Sequence, residues 1–154
     1  DRRDEREVEV VSGMFMLVRR AAFEQVGYLD ESFFIYCEEA DWCYRMKKAG
    51  WRNVFWPGAR IVHRDGGGKS TEKVNIKMEV QLVRSTLFYI RKHYGPVSEA
   101  LVRFTILVTA LVKLCFYSLV HVISPNRFQG RTAKFSSIAT YAISSKRARS
   151  CTEG

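Results

Sequence analysis

Acidic residues are almost missing from the second half of this 154-residue chain. Residues 82–154 carry 11 Lys or Arg and only two acids, whereas residues 1–81 carry 14 of each sign, so all of the net charge of +9 lies in the second half. Such a one-sided charge favours a polyanionic partner, either nucleic acid or anionic lipid, with a solvated basic tail as the open alternative. A hydrophobic content of 47% excludes a chain that is disordered throughout.

Cysteine is sparse, and its spacing does not suit a metal ribbon. The four cysteines stand at positions 37, 43, 115 and 151 without a Cys-x-x-Cys pair. This spacing excludes a zinc ribbon and indicates no disulfide framework. Residues 1–7 form a charged run and lack the apolar core of a secretory signal. We therefore expect a cytoplasmic protein with reduced thiols.

Long apolar runs are also rare, but residues 101–123 form one, interrupted only by Arg103, Lys113 and His121. At about 1.5 Å per residue, a helix of this length reaches across a bilayer core. However, the two cations, Arg103 and Lys113, make this stretch a poor membrane-spanning helix. At about 100° per residue Arg103 and His121 share an azimuth, with Lys113 about 80° away. We therefore expect a helix that lies in the interface of an anionic membrane. The apolar run thus makes anionic lipid a better partner than nucleic acid. A buried bundle helix remains the alternative.

The most informative stretch is FFIYCEEADWCYR at residues 33–45, which places three carboxylates within four positions behind an aromatic segment. Glu38, Glu39 and Asp41 would lie in the first turn of a helix, where the helix dipole favours acids. Carboxylates grouped in this way can form a general base or a metal site. The alternative is that they only stabilise the helix start, with Asp41 paired to Arg45 four residues later.

Hydrophobic periodicity and turn residues predict an α/β chain. We expect a strand over residues 8–19 and two short strands over 52–56 and 60–63. Helices are predicted over residues 20–26, 38–49 and 72–94, with breaks at Gly27, Gly50 and Gly95-Pro96. This pattern divides the chain into residues 1–95, an apolar helix within 96–124, and a basic Ser-rich tail over 125–154.

Several blocks together resemble the C-terminal half of the catalytic domain of family 2 glycosyltransferases, particularly rhamnosyltransferase-like and galactofuranosyltransferase-like members. The blocks are VSGMFMLVRR at 11–20, AFEQVGYLDE at 22–31, the acidic cluster, AGW at 49–51 and PGARIVH at 57–63. The resemblance covers residues 8 to 95. It implies the C-terminal part of a GT-A, Rossmann-like domain followed by long α-helices.

The same resemblance implies an inverting transferase that moves a sugar such as rhamnose from a nucleotide-diphosphate donor to a lipid-linked or polysaccharide acceptor. Such an enzyme would work in cell-surface glycan synthesis, at the cytoplasmic face of the membrane. The matching positions make Glu39 the general base, Glu38 its neighbour, and Asp41 a residue that orients the helix or touches the acceptor. The substrate-binding candidates are Ser12, Gly13, Lys69 and Arg84.

His63 matches the histidine that completes a divalent-metal site, for Mg²⁺ or Mn²⁺, in related galactofuranosyltransferases. Its usual partner, an Asp-x-Asp motif on an earlier strand, does not occur in this sequence. We therefore expect the chain to be part of a longer enzyme that carries the nucleotide-binding half elsewhere.

The GGGKS run at 66–70 is not a P-loop, because that motif requires glycine at position 63, where the chain has His63; Lys69 or Ser70 is expected near phosphate, or else the run is a flexible connection.

The runner-up function is a non-catalytic membrane-peripheral adaptor that uses a basic amphipathic helix. A nucleic-acid-binding module has the charge but no recognisable motif.

Overall fold

The computed structural model describes residues 4–62, 76–123 and 131–144. The elements follow in the order β1 (Arg6–Glu7), α1 (Arg20–Val26), α2 (Glu38–Lys48), β2 (Val54–Phe55), α3 (Ile76–Ile123) and α4 (Arg131–Ile143). β1 and β2 pair antiparallel, with Arg6 opposite Phe55 and Glu7 opposite Val54. The described chain therefore combines a small mixed N-terminal part with a C-terminal group of long helices.

The helices α1 and α2 begin and end close to where the sequence predicts. α1 stops at Gly27, which has a φ of 82° and donates its N–H to the carbonyl of Phe23 at 2.8 Å. Gly50, with a φ of 89°, follows the end of α2. Glycine adopts this left-handed backbone at little steric cost, which explains why both helices end there.

The predicted strand over residues 8–19 is wrong, because β1 is confined to Arg6–Glu7. Beyond it the backbone finds other partners. Val8 donates its N–H to the carbonyl of Asn53 at 2.9 Å, and Val11 donates its N–H to the Cys43 sulfur at 3.4 Å. A strand requires a neighbouring strand to satisfy its backbone groups. This segment instead runs along α2.

The two short strands predicted downstream are only partly present. β2 is limited to Val54–Phe55, and residues 60–62 are not a strand. Between α2 and β2, the buried Asn53 side chain donates hydrogen bonds to the carbonyls of Glu9 and Cys43, at 3.1 Å and 3.0 Å. This one amide ties the N-terminal segment to α2.

α3 is one long helix with a break at Gly95, which has a φ of 85° and a ψ of 176°. Pro96 follows, so the break predicted at this pair is confirmed. We call residues 76–94 the first segment of α3 and residues 97–123 its second segment. The first segment contacts both α2 and α4, whereas the second packs against α4.

Residues 131–143 form the helix α4, which corrects the prediction of a basic tail there. Ile138 and Ala139 pack with Ala110 in a buried core, surrounded by Val80, Val83, Ile106, Leu107 and Phe135. The core therefore joins α4 to both segments of α3. The Lys134 ammonium adds an ion pair with Glu79 at 2.5 Å.

The second segment of α3 keeps an exposed apolar face. Arg103, one of the cations that interrupt the apolar run, pairs with Glu99 at 2.7 Å and donates to the carbonyls of Ala142 and Ser144 at the end of α4. The residues left exposed are Val97, Leu101, Phe104, Val108, Leu111, Val112, Phe116 and Leu119. By length and composition α3 is long and apolar enough to cross a membrane.

Candidate acidic site

Two residues with left-handed backbone lead the chain into α2. Tyr36 and Cys37 both have a φ of 68°, a conformation that costs a non-glycine residue about 1–3 kcal/mol. Packing against α3 holds this segment in place. The buried Ser85 hydroxyl of α3 donates to the carbonyl of Ile35 at 2.7 Å. The rings of Phe33 and Phe88 also pack edge to face. The strained turn sets the direction in which the first residues of α2 point.

Glu38 and Glu39 follow immediately, and each has one buried carboxylate oxygen, Oε2, without a hydrogen-bond partner in the described part of the chain. Nearly all buried polar side-chain atoms in proteins are hydrogen-bonded. Each of these two oxygens is therefore an unused hydrogen-bond acceptor within the described residues. Among the predicted catalytic residues, only this adjacent pair has that property.

Gly13 lies against Glu39, since a Cβ added to Gly13 would be 3.7 Å from the Cβ of Glu39. Ser12 lines a mostly apolar cavity of about 560 Å³ beside it, which Trp42 and Met46 of α2 also line. The structure thus brings Gly13 against the predicted base and places Ser12 at a neighbouring cavity, which Glu38 and Glu39 do not line. The absence of a side chain at Gly13 leaves the backbone beside Glu39 open to close approach.

Asp41 lies in a different environment, because it is fully buried among cations. Its Oδ2 accepts a hydrogen bond from Arg45 at 2.7 Å. Its Oδ1 accepts one from Lys92 at 2.5 Å and lies 2.7 Å from the Nε2 atom of His93. Both of these partners belong to α3, so the network locks α2 onto α3. This geometry favours a helix-orienting role for Asp41 over contact with an acceptor.

The surrounding donors keep these carboxyl groups ionised. Burial alone raises the pKa of Asp41, but hydrogen bonds from Lys92, Arg45 and His93 outweigh it, and the pKa is lowered. Asp30 shares the Lys92 ammonium at 2.7 Å. Burial also raises the pKa of Asp30, yet the hydrogen bonds from Lys92 and Ser32 lower it to about 2.

The remaining predicted site residues are Arg84, His63 and Lys69. Arg84 is half-buried on the first segment of α3, next to Ser85. His63, Lys69 and Ser70 lie outside the described residues. Within the described ranges, no three His, Cys, Asp or Glu side chains form a group that could hold a metal ion. The carboxylate oxygens suit Mg²⁺ or Mn²⁺ chemically, but these residues alone do not make a metal site, so the metal stays a prediction.

Comparison with known proteins returns short matches to sugar transferases. Over 59 residues the chain is 49% identical to an N-acetylglucosaminyl-diphospho-decaprenol L-rhamnosyltransferase from Mycobacterium tuberculosis, covering 38% of this chain and 19% of the relative. It is 39% identical over 56 residues to the Escherichia coli rhamnosyltransferase WbbL, covering 36% of this chain and 21% of that protein. The similarity supports a glycosyltransferase family.

A third relative, the low-salt glycan biosynthesis hexosyltransferase Agl10 of Haloferax volcanii, is 46% identical over 41 residues, or 27% of this chain and 13% of that protein. The chain thus matches about a fifth or less of the length of these relatives. No family model matches the chain. No solved structure matches it. The common feature of the three relatives is the transfer of a sugar, stated in each name.

Proposed function

We propose that the chain is the C-terminal half of the GT-A catalytic domain of an inverting family 2 glycosyltransferase. The enzyme would transfer a sugar such as rhamnose from a nucleotide-diphosphate donor to a lipid-linked or polysaccharide acceptor in cell-surface glycan synthesis. One observation carries the proposal: the two adjacent carboxylates, Glu38 and Glu39, each have a buried oxygen without a hydrogen-bond partner in the described residues. A membrane adaptor would have no use for that arrangement.

The proposed chemistry begins with an acceptor hydroxyl placed beside Glu39. Its carboxylate accepts the hydroxyl proton as the oxygen attacks the anomeric carbon of the donor, and the nucleoside diphosphate leaves from the opposite face. Glu38 lies next to Glu39 and would accept a second acceptor hydroxyl. Gly13 gives the acceptor room at the backbone, while the Asp41 network keeps α2 fixed on α3.

A lipid-linked acceptor fits the second segment of α3. Its exposed apolar side chains and the positive charge of the second half would hold the enzyme at an anionic cytoplasmic membrane surface. The Mycobacterium tuberculosis relative carries decaprenol in its name. A lipid of this class is therefore the acceptor carrier that we propose here as well.

The test requires a polypeptide in which residues 1–154 follow a nucleotide-binding half, which we call the intact transferase. Glu39→Gln keeps the side-chain size but removes the proton acceptor. Turnover with a nucleotide-rhamnose donor should fall by about 10²- to 10⁴-fold, while the donor KM stays nearly unchanged. Glu31→Gln, an exposed acid seven residues upstream of Glu38, is the matched control and should retain turnover.

Near-normal turnover by Glu39→Gln would move the base to Glu38, which the corresponding glutamine variant would then reveal. If neither variant loses turnover, the carboxylate pair is not catalytic and the proposal fails.

A further inference from the structure

A second cavity, of about 590 Å³, lies on a different face of α2 from the Ser12 cavity. Tyr44, Tyr89 and Tyr94 line it, together with three charged side chains: Glu9, Lys47 and Lys48. We call this cavity the tyrosine groove. Its volume falls in the range of about 300–1,000 Å³ that is typical of small-ligand sites, and its mixture of aromatic rings with a few charged groups is typical of them as well.

The three rings form a fixed aromatic wall. The centroid of Tyr44 lies 6.2 Å from that of Tyr89 and 5.8 Å from that of Tyr94, and the Tyr89 and Tyr94 centroids are 6.2 Å apart. His93 packs behind them, 4.3 Å from Tyr44, and is itself held by Asp41. Tyr94 is 53% exposed, so its ring remains accessible to a ligand.

The charges of the groove are mixed in sign. The Lys47 ammonium pairs with Glu9 at 2.5 Å, and the Lys48 ammonium lies 5.2 Å from the centre of the Tyr44 ring. Such a rim both donates and accepts hydrogen bonds, as the hydroxyl groups of a sugar do. The ion pair between Lys47 and Glu9 compensates two of the three rim charges, which leaves little net charge to hold a purely anionic ligand. The charged rim also disfavours a hydrocarbon chain. Tyrosine rings meanwhile offer apolar faces to the C–H side of a sugar ring.

The groove also lies between the two parts of the molecule that an acceptor must reach. Ala40, which lines it, directly follows Glu39 in α2. At the other end, Tyr94 directly precedes the break at Gly95, after which the exposed apolar face begins at Val97. We propose that the tyrosine groove binds a saccharide, namely the sugar part of the acceptor. That the bound saccharide belongs to the acceptor rests on the proposed function, whereas saccharide binding itself does not.

The experiment measures saccharide binding directly on the 154-residue chain by saturation-transfer NMR. The probes are N-acetylglucosamine, methyl rhamnoside and, separately, inorganic pyrophosphate. At least one sugar should bind with a Kd on the order of 1 mM. Tyr94→Ala and Lys48→Gln should each weaken that binding by about 3- to 10-fold. The matched control is Tyr28→Ala, a tyrosine 76% exposed that does not line the groove, and its binding should equal that of the unmodified chain.

Several results overturn the proposal: no sugar binds, pyrophosphate alone binds, or sugar binding is unchanged in both groove variants. Lys48→Gln keeps the test decisive if circular dichroism shows that Tyr94→Ala is unfolded. Turnover separates this proposal from the proposed function. Weaker sugar binding by both groove variants supports the groove even if no intact transferase turns over, whereas turnover that survives in Glu39→Gln counts only against the proposed function.

Discussion

Lys92 on α3 lies 2.5 Å from the buried carboxylate of Asp41 on α2. The same ammonium reaches Asp30, in the loop after α1, at 2.7 Å. One side chain therefore ties α3 to both α2 and the loop. Because Asp41 stands two positions after Glu39, this ion pair helps to hold the acidic pair in place. The site depends on an interaction between residues 51 positions apart in the chain.

Asp41→Asn should be strongly destabilising. Removing one member of a buried ion-pair network leaves the remaining charges uncompensated, at a cost of about 3–5 kcal/mol. Lys92 and Arg45 are 28% and 23% exposed and can partly turn to solvent, so we expect the lower end, about 3 kcal/mol in the free energy of unfolding measured with urea.

Glu24→Gln is the matched control for that prediction. Glu24 also pairs with an arginine four residues away, Arg20, but the two side chains are 65% and 90% exposed and 3.4 Å apart. An exposed pair of this kind contributes less than about 1 kcal/mol. Equal losses in the two variants would mean that the burial of Asp41 has no energetic consequence.

Protonation of Asp30 in acid should lower the free energy of unfolding of the chain. Its pKa is lowered from 3.8 to about 2 in the folded state. Stability from this group is therefore complete above pH of about 4 and is lost as the pH falls toward about 2. The side chain is 26% exposed, so we expect a share of about 1–2 kcal/mol. Urea unfolding between pH 6 and pH 2.5 should show a smaller acid loss in Asp30→Asn than in the unmodified chain.

Glu31→Gln provides the comparison at the next position, which is exposed. It should leave the acid loss unchanged. An Asp30→Asn chain that loses as much stability in acid as the unmodified chain contradicts the assignment to Asp30.

The sequence predicts well those features that depend on residues close together in the chain. α2 was placed to within one residue, because acids fill its first turn and Gly50 ends it. α4 was missed, although Phe135, Ile138, Ala139 and Ala142 recur at the helical spacing of i, i+3, i+4 and i+7. Its Ser-rich, basic composition concealed that period.

The strand over residues 8–19 and the Lys92 network show what local patterns cannot supply. A strand depends on a partner elsewhere in the chain, and here the partner ends after two residues. Lys92 and His93 stand near the end of the helix that the sequence predicts over residues 72–94, where the dipole favours cations. Nothing in the sequence nearby indicates that Asp41 is their partner. The left-handed backbone of Tyr36 and Cys37 likewise depends on packing against α3.

Cys37→Gly should stabilise the chain. Cys37 has a φ of 68° and a ψ of −2°, where glycine is not strained. Relief of the strain is partly offset by the extra freedom of glycine in the unfolded chain, so we expect a net gain of about 0.5–1 kcal/mol. Urea unfolding would measure it.

The same substitution at an ordinary helical position should do the opposite. Cys115→Gly, at an exposed site within α3, should cost about 0.3 kcal/mol, the difference in helix propensity between the two residues. If Cys37→Gly is as destabilising as Cys115→Gly, the left-handed turn before α2 is not strained.

The last prediction is that the second segment of α3 binds membranes through its apolar face. Phe104 and Phe116 are 65% and 58% exposed on that face, whereas Arg103 is engaged with α4. The chain should co-sediment with vesicles, more strongly when anionic lipid is present, and salt should release only part of it. Phe104→Asp combined with Phe116→Asp should weaken vesicle binding by about 30- to 1,000-fold, because each aromatic ring contributes on the order of 1–2 kcal/mol when it enters the apolar layer.

Tyr28→Asp is the control for this membrane test, since it places the same charge at another exposed aromatic residue, 76% exposed and distant in sequence from α3. It should bind vesicles like the unmodified chain, because its side chain does not belong to the apolar face. Salt separates two modes of binding: an interfacial helix is partly released, whereas a spanning helix resists extraction. Two results would show that the apolar face does not contact lipid. Either the folded chain binds vesicles of no composition, or the double variant binds them as well as the control does. The segment is then a bundle helix, and a lipid-linked acceptor loses its structural support.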